Sequence, residues 1–342
     1  MDTAHYAYDL PASSIAQSAI EPRDASRLLV TSTGVDHMFR DLPMLLQRGD
    51  LLVVNRTRVR AARIHGVKET GGTVEALLLR RVDADRWQAL MRPSRRLRPG
   101  VRIAFHGAEG EVRSVPDRGV VTLAITAEDE TESWLDRAGE VPLPPYFHGR
   151  LDDPERYQTI FARAVGSAAA PTAGLHFTEG LTARLRQAGV ELAEVELDVG
   201  IDTFRPMSAG QLADHVMHRE RYVVPGPAAE AIATARRRES RVIAVGTTVM
   251  RTLESAAIGD GLVSPGEGNS DLFVTPGYRR RVVDALVTNF HAPGTTLVVL
   301  VAALLGPRWR DLYALAIERG LRFLSFGDAM FIDDPIGGRV AT

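Results

Sequence analysis

Apolar and polar positions follow two different rhythms along the chain, and the switch between them sets the expected architecture. The opening through Arg27 is polar and Pro/Ser-rich, ending in "SRLLV" at 26–30, which reads as a short strand. Leu42, Leu45 and Leu46 then share one helical face, "RGD" marks a turn, and Leu51 to Val54 run as a buried strand with Asn55 at its exit.

From 61 to 154 the pattern shortens to β-like runs such as "GTVEALLLRRV", "RWQALM", "VRIAFHG" and "GVVTLAIT". Turn residues recur about every ten positions, the spacing of a small barrel or sandwich. "EVPLPPYF" closes this stretch, its prolines favouring an extended connector. After 155 strands alternate with helices. "FTEGLTARLRQAGV" carries Thr178 as N-cap and Gly189 as C-terminal stop, and "AEVELDVG" follows as a strand. "RVIAVG" leads into "TTVMRTLESAA", and "VVDALVTNF" into "HAPGTTLVVLVAALLG". This alternation predicts an α/β domain, a sheet with helices on its faces, discontinuous over 1–60 and 155–342, with an all-β domain inserted at 61–154.

Composition narrows the chemistry. The 342 residues, 45% of them hydrophobic, suffice for about two domains. With 41 basic and 43 acidic residues, contact with nucleic acid would need local clusters such as "RPSRRLRPG" at 92–100, containing Arg95, Arg96 and Arg98; "ARRRESR" at 235–241 reads as a solvated helix end. Absence of cysteine removes disulfides, thiolate metal sites and a cysteine nucleophile. No apolar run has signal-peptide or membrane-span length, so a cytoplasmic protein is expected. His215 and His218 in "HVMHRE" lack a zinc-hydrolase spacing, and no metal is expected. Phosphate-loop, dinucleotide, nucleophile-elbow and deaminase signatures are all missing.

Ligands of α/β sheets sit beyond the carboxyl ends of strands. Those exits are polar here: Asn55, Thr57 and Arg58; Gly200 to Phe204; Gly246, Thr247 and Thr248; Asn289 to Gly294. Threonines at helix starts can hold a carboxylate or other anion, although helix capping alone would also explain Thr247 and Thr295.

The motifs "YDLPASSIAQ", "GDLLVVNRTRV", "PLPPYF", "RYQTIFA", "GSAAAPTAGLHFT", "HVMHRE", "VIAVGTTVMRTLESA", "VVDALVTNFHAPGTTL" and "RFLSFGDAMFI" occur in this order nearly end to end. In these the chain resembles the S-adenosylmethionine:tRNA ribosyltransferase-isomerases of queuosine biosynthesis. The resemblance implies an inserted β-barrel, and transfer and isomerisation of the ribosyl group of S-adenosylmethionine onto 7-aminomethyl-7-deazaguanine at the tRNA wobble position. Epoxyqueuosine forms, with release of adenine and methionine. S-adenosylmethionine is then a substrate, tRNA the partner, and no further cofactor, metal or membrane is implied; a monomer is expected.

On this resemblance His176 is an acid/base or adenine contact supported by Thr172 and Gly174, and His291 beside Asn289 is a second acid/base. Thr247, Thr248 or Arg251 would meet the methionine carboxylate, and Asp328 would orient a ribose hydroxyl or simply form a turn. Asn55, Arg58 and Asp198 are expected at the substrate, and Arg95, Arg96 and Arg98 at the tRNA. Asp198 and Asp202 replace a histidine and a glycine of the family pattern, Arg56 and Ala61 alter "NRTRVRAAR", and Val249 takes a serine's place. These departures leave open a paralogue using another small amine or deazapurine acceptor, or a non-catalytic tRNA-binding relative.

Overall fold

A computed structural model of the chain describes residues 1–148, 151, 153–200, 206–217, 219–259 and 261–336. Asp202 and His218 lie outside the described residues. The chain divides into two compact units: Met1–Arg58, Pro144–Ala164 and Ala170–Thr342 in the first, Val59–Leu143 with Val165–Ala169 in the second.

The first unit is built on a nine-stranded sheet. Its strands along the chain are β1 (Arg27–Val30), β2 (Val35–Met38), β3 (Leu51–Asn55), β4 (Glu191–Leu197), β5 (Glu220–Val224), β6 (Val242–Val245), β7 (Gly266–Ser270), β8 (Ala285–Asn289) and β9 (Ala329–Ile332), and their spatial order is β7-β5-β4-β3-β6-β8-β9-β1-β2. The four central strands β4, β3, β6 and β8 are parallel. β9 then runs antiparallel to β8, and β1 parallel to β9. Consequently the carboxyl ends of the central strands share one edge with the amino ends of β9 and β1.

Both faces of this sheet are covered, which is why its central strands read as unbroken apolar runs. Leu51 and Val53 enter one core and Leu52 and Val54 the other, and the same alternation divides Val242 and Ala244 from Ile243 and Val245. Helices α1 (Leu42–Leu45) and α2 (Glu179–Gln187) contribute Leu42, Leu181 and Leu185 to the second core. Helices α3 (Gly226–Arg237), α4 (Thr247–Ser255), α5 (Thr296–Leu305) and α6 (Arg308–Glu318) pack on the first. α2 begins as expected, with the Thr178 hydroxyl accepting from Leu181 N (3.0 Å). Every residue of α5 from Leu297 to Leu305 is buried in the core, and among the described residues no helix is long and apolar enough to cross a membrane.

The second unit is a closed six-stranded antiparallel barrel formed by Arg63–Lys68, Thr73–Arg81, Arg86–Arg92, Arg102–Phe105, Ala108–Val112 and Val120–Ala127, followed by a helix at Thr131–Ala138. Alternate residues such as Ile64, Val74, Ala76, Trp87 and Ala89 fill its interior. The stretch from Pro144 to Ala164 belongs to the first unit, where Tyr157 is fully buried against Phe326 (centroids 5.7 Å apart).

Candidate active site

The strand edge described above opens into a cleft. Its walls come from the turn after β6 (Gly246, Thr247, Thr248), the end of β8 and its exit (Thr288 to Ala292), the 170–173 segment, Val199, Tyr146, Leu324 and Ser325. Among the described lining residues only His291 and Tyr146 are titratable.

The turn after β6 is glycine-dependent, since Gly246 has φ +95°. No side chain caps the helix that follows, so α4 presents its first turn to the cleft through Thr247 and Thr248 without local competition. The Thr248 hydroxyl is buried and has no hydrogen-bond partner in the protein. Thr295 likewise makes no capping bond; its hydroxyl donates to Ala292 O (2.7 Å). The Thr295 side chain therefore does not cap α5.

Thr172–His176 forms a single 3-10 turn beside β8. Gly174 is required there by space, because a Cβ would approach Thr159 Cγ2 to 2.9 Å. From this turn a directed hydrogen-bond chain runs behind the cleft. The Thr172 hydroxyl donates to Asn289 Oδ1 (2.9 Å), and Asn289 Nδ2 lies 3.0 Å from His176 Nε2. With the amide oriented by Thr172, its N–H donates to Nε2, the proton on the imidazole sits at Nδ1, and Nδ1–H donates to Ser26 Oγ (2.7 Å). Ser26 in turn donates to Arg23 O (3.3 Å). The ring is stacked on Phe39 (4.8 Å, 22°). Burial, with the nearby positive charges of Arg322 and Arg156, pushes the His176 pKa down to about 3.

His176 is thus a neutral ring with both nitrogens engaged, one hydrogen bond removed from the cleft. His291 is on the wall itself. Its Nε2 lies 2.9 Å from Thr288 Oγ1, its carbonyl accepts from the Tyr8 hydroxyl, and its N–H donates to the Tyr313 hydroxyl (3.2 Å). Burial pushes its pKa to about 3 as well. Asp328 is engaged elsewhere: its two oxygens accept from Arg27 N and Arg322 N (both 2.8 Å), which ties the start of β1 and the 322–328 turn together at the strand edge.

Other residues expected at the substrate are drawn into structural work. Asn55 bonds Leu197 O (3.0 Å) and accepts from Thr57 N (3.0 Å), so it fastens the exits of β3 and β4. The Arg58 guanidinium is paired with Glu155. Arg251, buried, is paired with Glu220 and also donates to Leu272 O (3.1 Å), and it is not among the residues lining the cleft. Asp198 lies 3.8 Å from Arg221 and is not among the residues lining the cleft, where Val199 stands instead. Val249 is buried in the core. Arg95, Arg96 and Arg98 are exposed on a loop of the barrel. Among the described residues no group of three or more histidines, cysteines or carboxylates is placed to hold a metal.

Sequence reasoning passed over Ser26, Tyr146 and Ser325. Tyr146, whose hydroxyl is bonded to Ser325 Oγ, is raised to about 12 by burial. Both stand inside the long motifs "PLPPYF" and "RFLSFGDAMFI", so the signal was present without a chemical reason to select them.

A family model described as queuosine biosynthesis protein matches residues 3–332. The chain is 50% identical over 343 residues to the S-adenosylmethionine:tRNA ribosyltransferase-isomerase of Symbiobacterium thermophilum, covering 97% of this chain and 100% of that protein. It is 47% identical over 341 residues to the protein of the same name from Moorella thermoacetica, again with 97% and 100% covered. A crystal structure of an S-adenosylmethionine tRNA ribosyltransferase from Thermotoga maritima is similar with TM-score 0.53 and 33% identity, over 95% of this chain and 99% of that one.

Proposed function

The chain belongs to the queuosine biosynthesis protein family, and from that membership we propose that it acts as an S-adenosylmethionine:tRNA ribosyltransferase-isomerase, with the cleft at the strand edge as its reaction chamber. The enzyme transfers and isomerises the ribosyl group of S-adenosylmethionine onto the aminomethyl-deazaguanine of tRNA. The observation that carries the site assignment is the convergence of the "PTAGLHF", "VGTTV" and "TNFHAPG" turns on one cleft, with the buried Thr248 hydroxyl on its wall unpartnered among the described residues.

The chemistry follows from the sulfonium, which acidifies the adjacent C5′ protons of the ribose. Loss of such a proton, opening of the sugar ring with departure of adenine, and attack by the tRNA amine call for a proton acceptor, a proton donor and exclusion of bulk water. His291 is assigned the proton-transfer role because it is the one imidazole on the cleft wall. His176 is assigned a positioning role through Asn289, and Asp328 another through the backbone of Arg27 and Arg322. Thr247 and Thr248 at the start of α4 offer the donors suited to the methionine carboxylate. Arg95, Arg96 and Arg98 are assigned to the RNA backbone.

The test is incubation with S-adenosylmethionine and tRNA carrying the aminomethyl-deazaguanine. Adenine release dependent on that tRNA is expected. Release with a free small amine alone would establish a different acceptor, and no release with either would remove the catalytic assignment.

A further inference from the structure

A second, shallow recess lies in the first unit and shares a wall with the cleft: Ser325 lines both, and His176 lines the recess while its partner Asn289 lines the cleft. Three guanidiniums converge on it, from Arg23, Arg156 and Arg322, together with the small surfaces of Ala19, Ser26 and Gly327. Each is held by main-chain carbonyls. Arg23 donates to Gln158 O (2.6 Å) and Glu155 O (3.0 Å), Arg156 to Ile20 O (2.7 Å), and Arg322 to Ser18 O (3.0 Å) and Phe326 O.

Carbonyls orient a guanidinium but do not cancel its charge. Each guanidinium offers five N–H donors, so Arg23 and Arg322 retain several beyond those bonds, and Arg322 Nε is buried with no hydrogen-bond partner among the described residues. The carboxylates nearby are engaged elsewhere for the most part: Glu155 with Arg58, Asp328 with two main-chain N–H groups and Asp153 with Glu155 N (2.9 Å), while the exposed Glu21 pairs with Arg156. Burial holds Arg23 and Arg322 below the ordinary arginine value and Arg156 adds like-charge repulsion at Arg23, outweighing the opposite pull of Glu21, Asp153 and Glu155 on Arg23 and of Asp328 on Arg322. A pre-oriented cluster of under-compensated guanidiniums is a receptor for an oxyanion.

We propose that this recess is a phosphate subsite, receiving a backbone phosphodiester of the acceptor RNA beside the nucleotide whose amine enters the cleft. The inference rests on the tRNA-modifying reading above and adds to it a place for the RNA chain. Phosphodiester is favoured over the methionine end of S-adenosylmethionine because that end pairs its carboxylate with an ammonium group. No acidic side chain lines the recess to receive an ammonium, and three guanidiniums would repel it. The chain's overall charge of -2 makes such a local cluster the means by which this unit can meet a polyanion.

The experiment perturbs the RNA first, which leaves the protein's folding untouched. Anticodon stem-loops carrying the aminomethyl-deazaguanine and a single neutral methylphosphonate at each phosphate flanking it are titrated into wild-type protein and into the R23Q and R322Q variants, with S-adenosylmethionine affinity measured in parallel. Expected is a loss of about tenfold in wild-type affinity for one flanking position, absent in the variants, which also show a log Kd against log salt slope smaller by about one. Equal penalties in wild type and variants, or no penalty at any flanking position, overturn the proposal. So does a variant that loses S-adenosylmethionine while keeping RNA affinity, since the recess then serves the methionine carboxylate. If the unmodified stem-loop does not bind wild-type protein, the tRNA-modifying reading fails together with the subsite, an outcome separate from the others.

Discussion

Acidification should unfold the α/β unit through two histidines. His176 and His291 both have folded-state pKa values lowered from 6.5 to about 3 by burial. Between these limits the unfolded chain binds protons that the folded chain refuses, so stability rises with pH across this window and is lost as pH falls below 6.5. At pH 4.5 each ring contributes a loss of about 1.36 × (6.5 − 4.5), roughly 2.7 kcal/mol, and the two together about 5 kcal/mol. That is comparable to the whole stability of many domains, about 5–15 kcal/mol. H291Q isolates one ring, the amide nitrogen or oxygen standing in for Nε2 against Thr288. Carboxylate titrations common to both proteins cancel in the difference. Urea unfolding at half-unit steps from pH 7.5 to 4.5, read by pulsed hydrogen exchange on peptides covering residues 285–305, reports this unit alone. The wild type should lose about 2.7 kcal/mol more than H291Q between pH 6.5 and 4.5. Parallel stability curves, or a His291 ring proton titrating near 6.5 by NMR, would refute the reasoning.

Three further outcomes follow from single contacts. T248V removes a buried hydroxyl that has no protein partner, so the fold should be unchanged or gain up to about 1 kcal/mol while S-adenosylmethionine binds roughly tenfold more weakly; unchanged affinity by calorimetry sinks the assignment of this hydroxyl. R251M removes the guanidinium paired with the buried Glu220 carboxylate and should cost about 3–5 kcal/mol, with R251M/E220M recovering most of it; a stable R251M that has merely lost substrate would support the carboxylate-binding role. G174A brings a Cβ to 2.9 Å from Thr159 Cγ2 and should cost about 1–3 kcal/mol in thermal unfolding, relieved by T159S, whereas equal penalties in both backgrounds would place the strain elsewhere.

What was legible in the sequence is what depends on neighbours in the chain. The apolar run of β3, the Thr178 cap with its Gly189 stop, and the Gly-Thr-Thr turn after β6 each carry their reason within a few residues. Strand direction is not written in that way. Nothing in "DAMFI" announces that β9 runs against β8, yet this reversal brings Asp328 and Ser26 to the same edge as Asn289. Arg251 illustrates the same limit for charge. A helix residue beside a site turn is a natural substrate contact until a carboxylate from β5 closes on it, and Glu220 is 31 positions away. The recess is more distant still from any local signal, its arginines drawn from positions 23, 156 and 322.

The departures from the family pattern acquire a physical sense on β4. Along that strand Ala193, Val195 and Leu197 enter the core, so Glu194, Glu196 and, one residue past the strand, Asp198 fall in the alternate, polar register. Arg56 donates from Nε and Nη2 to Glu196 (2.9 and 2.6 Å), Asp198 lies 3.8 Å from Arg221, and Arg221 bonds Glu267 on β7 (2.5 Å). The charges introduced at Arg56 and Asp198 are therefore met by opposite charges on neighbouring strands. Partly exposed pairs of this kind contribute about 0–1 kcal/mol each, enough to offset their introduction and too little to reshape a fold. At the exit of β4 the described residue on the cleft wall is Val199, an apolar side chain, and Asp198 is not among the lining residues. On this geometry the charges of Arg56 and Asp198 are paired on the sheet, and the described walls of the cleft are formed by other residues, among them Thr172, Thr248, Asn289 and His291.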